Sequence, residues 1–144
     1  MGRIIATVGI SGSGKSTWAK AWVAESPENR YRSNRDDIRA RLFDEVTYAS
    51  EQEEATTKVE RQELFDAILA GKDIVVDNTH LRQDVLDFLK DVANLAGYTF
   101  EAKPFVIDLA TAKARVAKRV AEGGLHVEDS FIEGQIRRFE GLKL

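Results

Sequence analysis

The chain has 144 residues, enough for one domain that buries roughly 68–70% of the surface its unfolded form exposes. It contains no cysteine, which excludes disulfides and thiolate metal sites and suits a reducing, cytoplasmic setting. A formal charge of −3, from 21 basic and 24 acidic residues, excludes a broad basic coat for nucleic acid but leaves room for a local basic cleft.

No signal peptide, membrane-length apolar run, internal repeat or Pro/Ser-rich linker is visible, so residues 1–144 read as a single domain with no membrane association. The first strand is expected at Arg3–Gly9, apolar on nearly every residue as in a strand buried on both faces. A helix follows from Lys15 to about Ser26 and is stopped by Pro27. A short strand at Tyr31–Ser33 delivers the polar run Asn34-Arg35-Asp36-Asp37, and Ile38, Leu42 and Phe43 then suggest a brief helix. From about Ser50 to Ala70, Val59, Leu64, Phe65, Ile68 and Leu69 form one helical apolar face that Gly71 ends.

A third strand is expected at Asp73–Asp77 and a helix from Asp84 to about Ala96, with Val85, Leu86, Leu89, Val92 and Ala93 inward. Tyr98–Ile107 reads as a fourth strand. Helices at about Leu109–Glu122 and Glu128–Phe139 flank a loop at Gly123-Gly124. Strand and helix alternate, which implies an α/β fold with a parallel sheet covered on both faces.

Gly9-Ile10-Ser11-Gly12-Ser13-Gly14-Lys15-Ser16 fits G-x-x-x-x-G-K-[ST] in full, between a hydrophobic strand and a helix. Chance supplies such a match in roughly one unrelated chain of this length in two hundred, and fewer in that structural context. Gly12, Ser13 and Gly14 let backbone N–H groups converge on a β-phosphate. Lys15 reaches the β/γ oxygens, Ser16 can ligate Mg²⁺, and the helix start points its positive end at the anion. A nucleoside triphosphate such as ATP, with Mg²⁺, is the ligand this loop suits.

Ligands of such sheets collect beyond the carboxyl ends of the strands, so polar residues there are the candidates for chemistry. After the second strand, Asp36 or Asp37 could accept a proton from a hydroxyl, the other capping the short helix; a solvated turn is the plainer alternative. Asp77 closes a hydrophobic strand as a Mg²⁺-holding aspartate does, though short apolar runs ending in Asp are common. His80 reads as a surface residue, or at most a substrate contact. Arg115 and Arg119 are four apart on one helix face and could neutralise a migrating phosphoryl group, against the plainer reading of a solvated face. Arg137 and Arg138 read as structural. No N-K-x-D or D-x-x-G signature occurs, which argues against a regulatory GTPase.

Together GISGSGKSTWAKAW, SNRDDIR, VVDNT and ARVAKR, in this order and spacing, resemble the kinase domain of bacteriophage-type 5′-hydroxyl polynucleotide kinases over nearly the whole chain. The resemblance implies a three-layer P-loop kinase fold, about four parallel strands in the order 2-3-1-4 and a helical lid. It implies ATP and Mg²⁺, with Lys15, Ser16 and Thr17 on phosphate and metal, and Asp36 as general base toward a 5′-hydroxyl. Arg39 then contacts the acceptor phosphate, Asp77 with Asn78 and Thr79 lies in the acceptor and metal region, and Arg115 and Arg119 are the lid arginines, Arg119 the transition-state clamp. The partner implied is a nucleic acid 5′ end, with no protein partner, in the cytoplasm (the host's, if phage-encoded) and in repair of broken ends.

This chain departs from the family in reading Asp-Asn-Thr where it often has Asp-Thr-Asn. It also ends at Leu144, where the well-known phage enzyme continues into a phosphatase domain, so 3′-phosphatase activity is expected to be absent. Two rivals share the glycine loop: a P-loop kinase of a small sugar, nucleoside or antibiotic, and a non-catalytic nucleotide-binding switch.

Overall fold

The computed structural model describes residues 2–123 and 128–144; Gly124, the second glycine of the expected loop, lies outside them. Strands β1 (Arg3–Val8), β2 (Arg30–Ser33), β3 (Asp73–Val76) and β4 (Thr99–Pro104) form one parallel sheet in the order β2-β3-β1-β4. The helices among the described residues are α1 (Lys15–Glu25), α2 (Arg35–Leu42), α3 (Ser50–Leu69), α4 (Gln83–Ala96), α5 (Leu109–Ala121) and α6 (Asp129–Glu140). None is long and apolar enough to cross a membrane.

Side chains of central β1 alternate between faces, as the strand period demands. Ile4, Ala6 and Val8 pack with Leu64 and Ala67 of α3 and Leu86, Leu89 and Ala93 of α4. Ile5 and Val75 pack on the other face against Ala19 and Trp22 of α1. This is the expected three-layer arrangement, and each fully buried Ile, Val or Leu contributes about 1.5–3 kcal/mol. A third cluster of Ile10, Ala112, Val116 and Ile132 fastens α5 and α6 over the turn that follows β1.

Several local expectations are corrected. Helix α2 begins at Arg35, so Asp36 and Asp37 form its first turn, where negative charge suits the helix dipole. Neither aspartate is the cap: the Asn34 side chain accepts the Asp37 N–H at 2.9 Å. On α3 the buried stripe is Thr56, Leu64 and Ala67, whereas Phe65 and Leu69 remain 43% and 86% exposed. Phe65 lies one residue, about 100° of rotation, off that stripe. β4 stops at Pro104 because its partner β1 ends at Val8 as the chain turns into the glycine loop, and Val106 is exposed.

Candidate active site

The loop after β1 is built mainly from backbone. Gly12 and Gly14 have φ of 81° and 95°, a left-handed conformation that side chains resist. A Cβ on Gly12 would also stand 3.1 Å from the Ala112 carbonyl oxygen, so any side chain there would push the loop or α5 back by a few tenths of an ångström. The Ser13 N–H donates to the Ile10 carbonyl at 3.2 Å, and the Ser11 N–H donates to Oε1 of Gln135 at 2.9 Å. Gln135 is buried on α6, so a residue from the far end of the chain braces the loop.

Lys15 Nζ donates to the Ile10 carbonyl at 2.8 Å and lies 3.3 Å from Ser13 Oγ. Burial lowers its ammonium to about 8; Asp77 opposes the shift, Arg119 reinforces it, and Asp36 opposes it more weakly. An incoming phosphate would return the charge that desolvation weakens. Ser16 and Thr17 lie in the first turn of α1, behind the Gly14 cap, at the positive end of the helix.

Arg115 and Arg119 of α5 meet this loop. Arg115 Nη1 donates to the Gly12 carbonyl at 3.1 Å, and a Cβ on Gly12 would lie 3.5 Å from Arg119 Nη2. Lys15 of the loop and two arginines of α5 therefore surround one turn of backbone, a concentration suited to the oxygens of a polyphosphate.

Across the sheet, Asp77 is buried at the end of β3. Arg32 grips its Oδ2 through Nε at 2.8 Å and Nη2 at 2.7 Å, while Oδ1 is buried with no partner. Asn78 Oδ1 accepts the Arg35 N–H at 3.0 Å, and its amide donates to Glu60 at 3.0 Å, so Asn78 ties β3 to α2 and α3. The Thr79 carbonyl accepts the Gly9 N–H at 3.1 Å, joining this strand end to the glycine loop.

His80 is not the surface residue its sequence suggested. It is 5% exposed, with φ 50° and Nδ1 2.7 Å from the Thr7 carbonyl, which can only accept. Burial pushes its imidazole down to about 4, leaving a neutral ring donating through Nδ1.

Asp36 lies at the rim, its side chain 67% exposed and its Oδ1 paired with Arg39 Nη1 at 2.7 Å. Arg39 in turn makes a two-pronged contact with Glu53, Nε at 2.9 Å and Nη2 at 2.7 Å, which holds the Glu53 carboxyl below its ordinary range. Arg35 is answered by Glu60 at 3.0 Å and Thr57 at 3.0 Å. Of the residues the sequence singled out, Lys15, Arg115 and Arg119 converge on the loop, while Asp36 and Arg39 stand in an ion-pair mesh beyond it. Arg32, Glu53, Glu60 and Gln135 were not foreseen. Only Gln135 left a signal, being a polar residue three positions from Ile132 on a buried helical stripe.

Among the described residues, no group of three or more His, Cys, Asp or Glu forms a metal cage. The unpartnered Asp77 oxygen and the Ser16 hydroxyl instead fit a hard cation that keeps water and phosphate as its other ligands.

Residues 4–142 match the family described as an AAA domain. Over 150 residues the chain is 30% identical to a protein of Autographa californica nuclear polyhedrosis virus named as a bifunctional polynucleotide kinase/RNA ligase; the match covers 95% of this chain and 21% of that protein. A chain of the Pnkp1/Rnl/Hen1 RNA repair complex superposes with a TM-score of 0.80 at 25% identity, over 96% of this chain and 44% of that one. The fold is also that of the Mycobacterium tuberculosis APS kinase CysC, with a TM-score of 0.62 at 20% identity over 85% of this chain and 73% of that one. The chain spans about a fifth of the length of its viral relative and less than half of the RNA-repair chain.

Proposed function

This chain belongs to that AAA-domain family and has the fold of a P-loop kinase, and on that premise we propose that it transfers the γ-phosphate of ATP to the 5′-hydroxyl of DNA or RNA. In this reading residues 1–144 act as one kinase domain. The observation that carries it is geometric: Lys15, Arg115 and Arg119 crowd the glycine turn that follows β1, and Asp36 opens α2 just after β2, at the same carboxyl edge of the parallel sheet.

Arg39 holds Oδ1 of Asp36, which leaves Oδ2 to accept the proton of an incoming alcohol and orient its oxygen for in-line attack. Lys15 neutralises β/γ oxygens, and Arg119, beside Gly12, stabilises the charge that spreads over the migrating phosphoryl group. Arg115, already on the Gly12 carbonyl, supports the donor phosphates. Mg²⁺, held by Ser16 and by Asp77 directly or through water, would add charge neutralisation at the same oxygens. Arg39 can exchange Glu53 for an acceptor phosphate, and Asn78 and Thr79 line the same cleft as Glu53. The polynucleotide kinase named among its relatives supports a nucleic acid end as acceptor.

Kinases of small molecules share the fold, so the acceptor is the point to test. Labelled ATP is offered with a 5′-hydroxyl oligonucleotide beside a panel of sugars, nucleosides and other small alcohols. Label is expected on the oligonucleotide; transfer only to a small alcohol overturns the acceptor assignment, and transfer to nothing leaves a nucleotide-binding module.

A further inference from the structure

Beyond Arg35 and Asn78 a cleft of about 650 Å³ opens between α3, α4 and α6, within the roughly 300–1,000 Å³ range of ligand sites. On two of its walls a guanidinium rests on an aromatic ring. Arg61 of α3 lies 4.6 Å from the centre of the Phe88 ring on α4, and Arg138 lies 5.9 Å from that of Phe131 on α6. The other arginines of the lining are matched by carboxylates, Arg35 by Glu60 at 3.0 Å and Arg82 by Asp84 at 2.7 Å.

Phe131 keeps 53% of its surface in solvent, and its apolar area gains nothing for the core there. A chain of net charge −3 thus gathers cation–aromatic pairs on two sides of one opening. Ring faces and guanidinium planes are surfaces on which nucleobases stack, and the charge beside them tracks phosphates. A duplex offers one free base face at its end, whereas an unpaired strand can use both platforms. A kinase of sugars has no use for either, and a nucleoside acceptor needs only one.

We propose that this cleft is a stacking channel for the unpaired nucleotides that follow the 5′-terminal nucleoside of the acceptor strand. The inference rests on the polynucleotide reading above and adds Arg61, Phe88, Phe131 and Arg138 as strand-binding residues.

The test uses 5′-hydroxyl DNA and RNA decamers and a 3′-nucleoside monophosphate as acceptors. Decamer binding is followed by fluorescence anisotropy across a salt series, and kcat/KM is measured for each acceptor. Arg61→Ala/Arg138→Ala is expected to weaken decamer binding about tenfold or more and to reduce the salt slope by about 0.7 per arginine. Phe131→Ala is expected to weaken it about five- to a hundredfold. Phe88 also packs on the core, so Phe88→Leu replaces truncation there, with a smaller loss in the same direction. Across these variants kcat/KM should fall at least tenfold more for the decamers than for the mononucleotide. Equal losses at both lengths, or unchanged decamer binding, overturn the channel while a wild-type protein that phosphorylates the decamers keeps the polynucleotide reading. A wild-type protein that neither binds nor phosphorylates either decamer sinks both.

Discussion

The two sides of the site are held by different kinds of contact. Around Lys15 the structure is backbone: positive-φ glycines, a carbonyl accepting the ammonium and a buried glutamine bracing the turn. Around Asp36 it is a mesh of long charged side chains, in which Arg39 holds both Asp36 and Glu53 and Arg35 holds Glu60. The first arrangement is preformed for a ligand group that never varies, a chain of phosphates. The second has partners that, in the proposed reading, an acceptor phosphate replaces one for one, phosphate for carboxylate. A preformed cradle costs no reorganisation at each turnover, whereas exchangeable ion pairs allow entry and release.

Mutations on the two sides should therefore separate. The largest effect is expected for Asp36→Ala, which should lower kcat by about 10²–10⁴ while ATP affinity persists; unchanged turnover would remove the proton-acceptor role. Arg119→Ala should lower kcat by about 10²–10³, with little change in acceptor KM. A loss confined to acceptor KM would move that arginine to the other side of the comparison.

His80, at the seam between the two sides, should show in stability. Its folded value, about 4, lies below the ordinary 6.5, so the neutral ring's contribution is fully present above 6.5 and is lost as pH falls toward about 4. The window corresponds to about 3 kcal/mol, and denaturant titrations over that range should show His80→Asn, which keeps a donor and tolerates positive φ, with a flatter profile. A wild-type profile equally flat would refute the assignment. Arg39→Ala should raise acceptor KM about tenfold or more and leave ATP KM nearly unchanged. The smallest effect is expected for Gln135→Leu, which removes the brace on Ser11 and should raise ATP KM several-fold, measured at saturating acceptor because Gln135 also lines the cleft.

The glycine-loop side was far more legible than the Asp36 side. Eight consecutive residues encode the glycine loop, because a turn that wraps a phosphate needs its special conformations at fixed local spacing. Arg115 and Arg119 were visible as a pair, since positions four apart share a helix face. The Asp36 side is assembled from α2, α3 and the end of β3: Asp36 and Arg39 pair at helical spacing, but Glu53 on Arg39 and Arg32 on Asp77 follow no sequence period. His80 was misread for the same reason: its burial depends on Thr7, 73 residues away.

Alternating apolar strands and helices, the glycine loop and its lysine therefore specified the sheet, its order through family resemblance, and the phosphate end of the chemistry. Those features are local, being set by period, turn geometry and helix polarity. That Arg39 would take Glu53, Arg35 Glu60 and Arg32 Asp77 was decided only when distant elements packed. Charges interact through space at distances of a few ångströms, and sequence separation carries no record of that proximity.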